Sequence, residues 1–332
     1  MRFPKRFFKK IVVYVIAAGC LAWVMSGVRF DELLLHMRSM HLWWVPAALI
    51  IDVLCIVSHG FRWKLLVQPV GSVALLRTIQ AIYTGLFTNL ILPLKPGEFV
   101  RGYLLSRWMD LPFASILPSM IAERIFDGSL LVLGIGLCTF FVSLPQKIVN
   151  AGVIVGAVIL LVIGLIVLSA FADKKYSTTH TTDDVGIRKP IRRIKEFLSQ
   201  FSSGMRSVWT SVRLLPVLAA SMLYVFFQVL SYWMIMKAYG LHVSLWVPAV
   251  VLIIVRLGTA VPGAPANIGS YQFFCVIALT LFGIEKTMAT GLAILLSLVF
   301  TIPILILGFL AFLKSGLTVS ELRKGRTQMT SR

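Results

Sequence analysis

An all-α, polytopic integral membrane protein is the fold class this sequence predicts, and three observations carry the prediction. Long apolar runs recur along the whole 332-residue chain, which is 58% hydrophobic and 14% charged; soluble domains are about a quarter charged. Nineteen of the 32 Lys and Arg residues lie in residues 1–10, 172–213 and 314–332. That clustering is the positive-inside pattern, with all three segments expected in the cytoplasm. The net charge of +19 then reports topology and anionic lipid headgroups at the cytoplasmic face, and not nucleic acid, for which no motif is present. Third, two apolar segments are interrupted by proline and glycine at matching places in the two halves of the chain.

The elements follow in order. Ile11–Val28 is long enough to span and is followed by no convincing cleavage site, so it reads as an uncleaved first span. A short loop with Asp31, Glu32 and Arg38 leads to a second span over 42–61, with Trp43 and Trp44 at an interface. "RWKLL" at Arg62–Leu66, with Arg77, forms a basic inner loop. The apolar run Ile79–Leu92 is short for a span and ends in "LPLKPGEFVRG". Spans over 112–141 and 151–172 follow, joined by "SLPQKIVN". Counting sides back from the basic segment at 172–213 leaves the chain inside at Arg77 and inside again at Arg107. The stretch between must enter and return, so it predicts a re-entrant hairpin turning at Pro93, Pro96 and Gly97.

The second half repeats the pattern in the opposite orientation. A span over 214–237 leads to a segment over 246–282 that is broken at Pro262, Gly263, Pro265 and Gly269, and a last span covers 288–313. This hairpin enters from the outside. The expected architecture is one transmembrane domain of about six full spans plus two re-entrant broken-helix hairpins. Its inverted halves cover about 11–142 and 151–313. Pro93-x-x-Pro96 and Pro262-x-x-Pro265 are offset by 169 residues. Interrupted segments at corresponding places in two halves point to a transporter's binding site; two kinked helices with a chance match are the alternative. Between the halves, Ile191, Ile194, Phe197, Leu198, Phe201, Met205, Val208, Trp209 and Val212 fall on one helical face. Residues 172–213 therefore read as a basic cytoplasmic loop with an amphipathic helix on the leaflet, or else as a solvated linker.

The intramembrane charges are the candidate site. Glu98 and Arg101 share a helix face, and Glu123, Arg124 and Asp127 sit within five residues of one apolar helix. Glu123 is expected about 16 Å deep at 1.5 Å per residue. One charge there costs about 2.5–3.5 kcal/mol, so these groups must face the interior and pair, with Arg101 or Arg62 as expected partners. Lys95, Arg256, Asn267 and Gln272 at or near the breaks complete the candidate headgroup-binding set. Arg suits phosphate because its planar fork binds bidentately. A purely structural ion-pair network is the competing reading. His59 reads as interfacial. Cys20, Cys55, Cys138 and Cys275 each stand alone in apolar sequence, with no metal spacing. No nucleotide, metal-protease or nucleophile motif is present. Neither metal nor cofactor is expected, and Glu123 with Asp127 is a weak acid–base signal, so the chain does not read as an enzyme.

Four blocks together resemble the flippase-like family whose founding relative is the transmembrane region of bacterial lysylphosphatidylglycerol synthases. They are Arg62–Trp63, "N-x-x-LP-x-x-PGE-x-x-R" at Asn89–Arg101, "ERIFDG" at Glu123–Gly128 and "P-x-x-P-x-NIGSYQ" at Pro262–Gln272. The resemblance covers about residues 10–315. It implies a multi-span protein that moves a phospholipid or polyprenyl-type lipid between leaflets of a bacterial cytoplasmic (inner) membrane, both termini being cytoplasmic. Relatives that make aminoacyl lipid carry a soluble transferase after the spans; this chain ends at Arg332, so that activity is expected to be absent. Gln272 stands where the family often has an acid, which removes a candidate proton-binding group. An intramembrane enzyme acting on a lipid headgroup, or a subunit docking a cytoplasmic partner through 172–213, are the alternatives.

Overall fold

The apolar runs become helices that pack on one another around the charged segments. The computed structural model describes residues 5–176, 200–201, 203–208, 213–260 and 264–317, and among these there is helix and no strand. The helices are α1 (Lys5–Met25), α2 (Phe30–Arg38), α3 (Trp44–Val67), α4 (Leu75–Ile91), α5 (Gly97–Met109), α6 (Phe113–Thr139), α7 (Gln146–Tyr176), α8 (Leu214–Ala238), α9 (Trp246–Thr259), α10 (Ser270–Thr280) and α11 (Lys286–Leu313). A 3₁₀ turn covers Pro265–Asn267. The chain is a polytopic membrane protein: α3, α8 and α11 are each long and apolar enough to cross a bilayer, and α1 with α2 makes a fourth as a pair bent by 80°. The α6 helix has the length, at 27 residues, and carries Glu123, Arg124 and Asp127 through its middle. Large apolar side chains stay exposed along the outer faces, among them Leu215, Met222 and Phe226 on α8 and Ile306 and Phe309 on α11. That is the surface expected against lipid tails. Trp43, 91% exposed at the start of α3, suits a headgroup-level anchor.

Several boundaries differ from those read off the sequence. The expected loop after the first span is the helix α2, whose Leu33 is buried. The second span does not end at Phe61. Helix continues through Arg62 and Trp63 to Val67, and both of those side chains are fully buried. A basic run signals a loop only when its charges reach water; here Arg62 finds carboxylates inside the bundle. Arg77 opens α4 and lies over the Trp108 ring, 4.9 Å from its centre. Most of the expected amphipathic helix, and Pro262 and Gly263 of the second break, lie outside the described residues. Of the apolar stripe, Phe201, Met205 and Val208 are described; Phe201 is half-buried, and Met205 and Val208 are buried.

The central pair is α3 with α8. Cys55 Sγ approaches the Tyr224 carbonyl at 3.5 Å, and Ser231 donates to the Ala48 carbonyl at 3.2 Å. Seven residues back on α3 match seven residues forward on α8, so the two helices run antiparallel. Cys55 and Tyr224 are separated by 169 residues, the offset between the two Pro-x-x-Pro breaks. Two apolar cores flank this pair. One gathers Trp63, Leu66, Ile82, Leu104, Leu105 and Ile116 from α3 to α6, and the other gathers Ile235, Val251, Leu279 and Leu292 from α8 to α11.

On each side of the central pair, two helices joined by a short break pack against each other: α4 with α5, and α9 with α10. Each break holds two consecutive non-glycine residues in left-handed backbone. Leu94 (φ 70°) and Lys95 (φ 52°) form the first pair; Ala266 (φ 55°) and Asn267 (φ 52°) form the second. Such residues cost about 1–2 kcal/mol each in backbone strain, so the surroundings must hold them. At the first break, Gly97 packs so closely that an added Cβ would lie 1.9 Å from the Gly85 carbonyl oxygen. The Gly97 N–H donates to Asn89 Oδ1 at 2.7 Å. These contacts fix how α5 folds back on α4.

Candidate functional site

Helical spacing brings the charges together. On α3, His59 and Arg62 are one turn apart; on α5, Glu98 and Arg101 are; on α6, Glu123 and Asp127 share a face with Arg124 beside them. The fold places these three stripes around one point. Glu123 sits at the centre with no exposure. Its Oε1 lies 2.7 Å from His59 Nε2, 3.1 Å from Arg101 Nη1 and Nη2, and 3.3 Å from Arg62 Nη2. Arg62 donates to Asp127 Oδ1 at 2.6 Å. Arg101 donates to Glu98 Oε2 at 2.7 Å, and Arg124 donates to the same oxygen at 2.9 Å. Arg124 also lies 3.6 Å from Asp127. The sequence expectation that Glu123 would meet Arg101 or Arg62 is met by both.

The network is graded from dry to wet. The Glu123 and Arg62 side chains have no exposure and Arg101 has 4%, whereas Glu98 is 40% and Arg124 55% exposed. One end of the cluster is therefore sealed, and the other opens to the surroundings. Aromatic rings line the sealed part. Arg101 lies over Trp63, 4.8 Å from the ring centre, and Arg62 lies over Tyr224 at 5.0 Å. Both guanidiniums keep an Nε that is buried without an acceptor among the described residues.

From the second half, Arg256 stacks on the same Tyr224 at 5.5 Å, and its guanidinium donates to Gln228 Oε1. Gln228 in turn donates to the Tyr224 hydroxyl at 3.1 Å. Tyr224 thus lies between the arginine of α3 and the arginine of α9. Lys95, at the first break, donates to the Thr259 carbonyl at 2.6 Å. Thr259 ends α9, so the lysine reaches the negative end of that helix just before the second break. The two breaks therefore touch.

The remaining expected site residues fall elsewhere. Gln272 caps α10: its Oε1 accepts from the Gly269 N–H at 2.8 Å and its Nε2 donates to Ser297 at 3.1 Å. Both of its functional atoms are occupied, away from the charge network. Asn267 turns with the second break, and its Oδ1 is buried without a donor among the described residues. Gly269 holds φ 85° and abuts the Ala17 carbonyl of α1. Reading by sequence missed three members of the site. His59 is not interfacial; it is buried and bonded to Glu123. Its place one turn before Arg62 was the available signal. Tyr224 and Gln228 carried none, since neither is costly in an apolar helix when read alone.

The network contains three arginines (Arg62, Arg101, Arg124) and three carboxylates (Glu98, Glu123, Asp127), so its formal charge balances with His59 neutral. Lys95 and Arg256 lie beyond that balance and hydrogen-bond to neutral oxygens. A positive surplus where two helix breaks meet can hold an anion.

The sequence model of the lysylphosphatidylglycerol synthase transmembrane region matches residues 10–308. Among curated proteins, a UPF0104 membrane protein of Methanocaldococcus jannaschii is 24% identical over 321 residues, covering 92% of this chain and 94% of its own length. A UPF0104 membrane protein of Methanothermobacter thermautotrophicus is 23% identical over 331 residues, covering 94% of this chain and 96% of its own. Both relatives are archaeal, so the similarity is not confined to bacteria. No solved structure matches. With the family match spanning nearly all of the helical bundle, the chain belongs to the lysylphosphatidylglycerol synthase transmembrane-region family.

Proposed function

We propose that this protein moves a phospholipid or polyprenyl-type lipid between the leaflets of the cytoplasmic membrane, with the headgroup passing where the two helix breaks meet. The observation that carries the reading is the surplus of positive charge there. Among the described residues Lys95 and Arg256 hydrogen-bond to neutral oxygens alone, beside a network that already balances its own charge. A buried ion pair is weak support for a fold, because well-packed apolar residues often do as well. A network of six charged groups, three of them sealed inside an apolar bundle, is better explained by a polar substrate. Arg101 and Arg62 offer their unused Nε donors, Lys95 and Arg256 offer charge, and Glu98 and Arg124 face the open end.

The same reading makes α4–α5 and α9–α10 re-entrant hairpins entering from opposite sides, in inverted halves over about 11–142 and 151–313. Three features support it. Each break carries a left-handed pair. The Pro-x-x-Pro offset of 169 residues recurs in the Cys55–Tyr224 contact. The α3–α8 pair runs antiparallel, as a pseudo-twofold axis between the halves requires. The basic segments at both termini and at 172–213 then lie on the cytoplasmic side, against anionic headgroups.

The test is reconstitution into liposomes with labelled lipids: an anionic phospholipid, a zwitterionic one and a polyprenyl phosphate. The expected result is faster access of an anionic lipid to the opposite leaflet than in empty vesicles. Lys95→Ala should slow it by about tenfold, the scale of one charge-assisted hydrogen bond. The reading fails if no lipid in the panel outpaces empty vesicles. Cysteine labelling tests topology separately: a Cys at position 95 modified only from outside overturns the proposed entry side.

A further inference from the structure

Asp52 lies outside the charge network. It sits in the middle of α3 with 7% exposure, and sequence reading passed over it because it belongs to no motif. Among the described residues no hydrogen bond or ion pair meets its carboxylate. Its surroundings are polar but uncharged. Asp52 acts electrostatically on Cys55 of its own helix, on Tyr83 of α4, on Tyr232 of α8 and on Tyr271 of α10. The Tyr232 and Tyr271 hydroxyls bond to each other at 2.8 Å. The Tyr83 hydroxyl is buried with no partner, and Tyr83 is only 5% exposed. A nearly buried acid and a buried hydroxyl, neither with a partner among the described residues, thus share one region beside the α3–α8 pair.

Among the described residues no cation pairs with Asp52. Arg256 of α9 and Arg62 of α3 both act on Cys55, but Arg256 gives its guanidinium to Gln228 and Arg62 is bonded to Asp127. The α6 charges are paired within the network, and α11 brings no charged residue beyond Lys286 at its start. An ionised carboxylate in such a place is so unfavourable that taking up a proton is the simplest relief. Asp52 also shares a helix face with the charge network. Asp52, Cys55, His59 and Arg62 follow one another at spacings of three, four and three, which is one face of α3. That stripe runs about 10 Å from Asp52 to His59 at 1.5 Å per residue, and His59 bonds Glu123.

We propose that Asp52 is a proton-binding site whose loading and unloading accompanies lipid movement. One proton moves and no electrons do: hydronium gives its proton to a carboxylate oxygen and leaves water, and release reverses the step. The coupling half of the proposal rests on the lipid-moving reading; proton binding itself does not. The test uses the full-length protein in vesicles with dicyclohexylcarbodiimide, which modifies protonated carboxyls in apolar surroundings, read by mass spectrometry of the Asp52 peptide. Asp52 should be labelled about tenfold more at acid than at alkaline pH, as expected of a carboxyl held in an apolar helix without a partner. Added sodium at fixed pH should leave labelling unchanged. Asp52→Glu should retain the labelled carboxyl at that position, which keeps the test valid if Asp52→Asn folds poorly. Absence of labelling at every pH, or protection by sodium, overturns the proton site. In the lipid assay, an imposed pH gradient should speed movement in the wild type and have no effect on Asp52→Asn. An equal gradient effect in both overturns the coupling. If no lipid moves at all, coupling falls with the lipid-moving reading, while labelling still decides proton binding.

Discussion

At the first break, Leu94 and Lys95 take left-handed backbone while α3, α5 and α6 each bring charge to the adjoining network. At the second, Ala266 and Asn267 take the same backbone, but the groups around it are Gln272, Ser297 and main-chain atoms. The device is shared and the chemistry is not. A chain break in a membrane protein needs its freed backbone groups satisfied, and both breaks manage this with a side-chain amide: Asn89 for Gly97, Gln272 for Gly269. Charge is a separate addition, made only at the first. One half supplies the ion-pair machinery, and the other supplies a cap, Arg256 and the carbonyl that Lys95 seeks. In the lipid-moving reading, the asymmetry gives the headgroup a charged station and a neutral one.

Variants can break that comparison, and the largest effect should come from Glu123→Gln. It removes the carboxylate shared by Arg62, Arg101 and His59, leaving buried cations under-compensated. Loss of one partner from a buried charge set costs about 3–5 kcal/mol, so the melting temperature in detergent should fall steeply. A wild-type melting curve would mean that the first break does not depend on its charges. Next come the two glycines where the paired helices approach. Gly97→Ala drives a Cβ into the Gly85 backbone carbonyl, which cannot swing aside, and should cost about 1–3 kcal/mol or more. Gly258→Ala meets the ring of Phe274 at 2.2 Å, a side chain that can turn, so its cost should be smaller. The reverse order of melting temperatures would show the second hairpin to be the tighter one.

Gln272→Ala should cost about 1 kcal/mol, the scale of a lost N-cap, and should leave lipid movement near wild type. A severe transport defect in a stable protein would instead assign Gln272 to the path. Arg256→Lys keeps the charge and loses the planar stack on Tyr224; about 1 kcal/mol of cation–π energy is at stake. Lipid movement should slow by severalfold with little change in melting. The smallest effect belongs to Arg29→Ala. Arg29 bonds Glu285 at 2.6 Å and Glu32 at 2.8 Å, tying the corner between α1 and α2 to the start of α11. All three side chains are well exposed, and water screens such pairs. No change in melting temperature should be measurable, and a clear drop would give the α1–α2 corner an unexpected role.

The fold class, both breaks and most of the charge network were legible in the chain. Glu98, Arg101, Glu123 and Asp127 stand out because a charge in an apolar run has few acceptable explanations, and their i+3 and i+4 spacings already define faces. Arg62 was read as a loop residue because the rule that basic runs mark loops assumes that no carboxylate waits inside. The bend between α1 and α2 was missed because a loop with Asp31, Glu32 and Arg38 and an amphipathic helical turn look alike over nine residues. Asp52 was visible as an acid in an apolar span, yet a search by motif gave it no weight.

Composition and charge placement determined by themselves that this is an all-helical polytopic membrane protein with charges that must pair inside. They suffice because the cost of exposing backbone or charge to lipid is large, local and readable one segment at a time. Which charges pair, and with what, was decided only by the tertiary structure. Arg62 meets Glu123 and Asp127 across more than sixty residues, Tyr224 lies between arginines from both halves, and Lys95 reaches the end of α9. Those partners depend on how α3 and α8 lie against each other and on how the breaks come together. No local pattern encodes that geometry, because it emerges from the packing of whole helices.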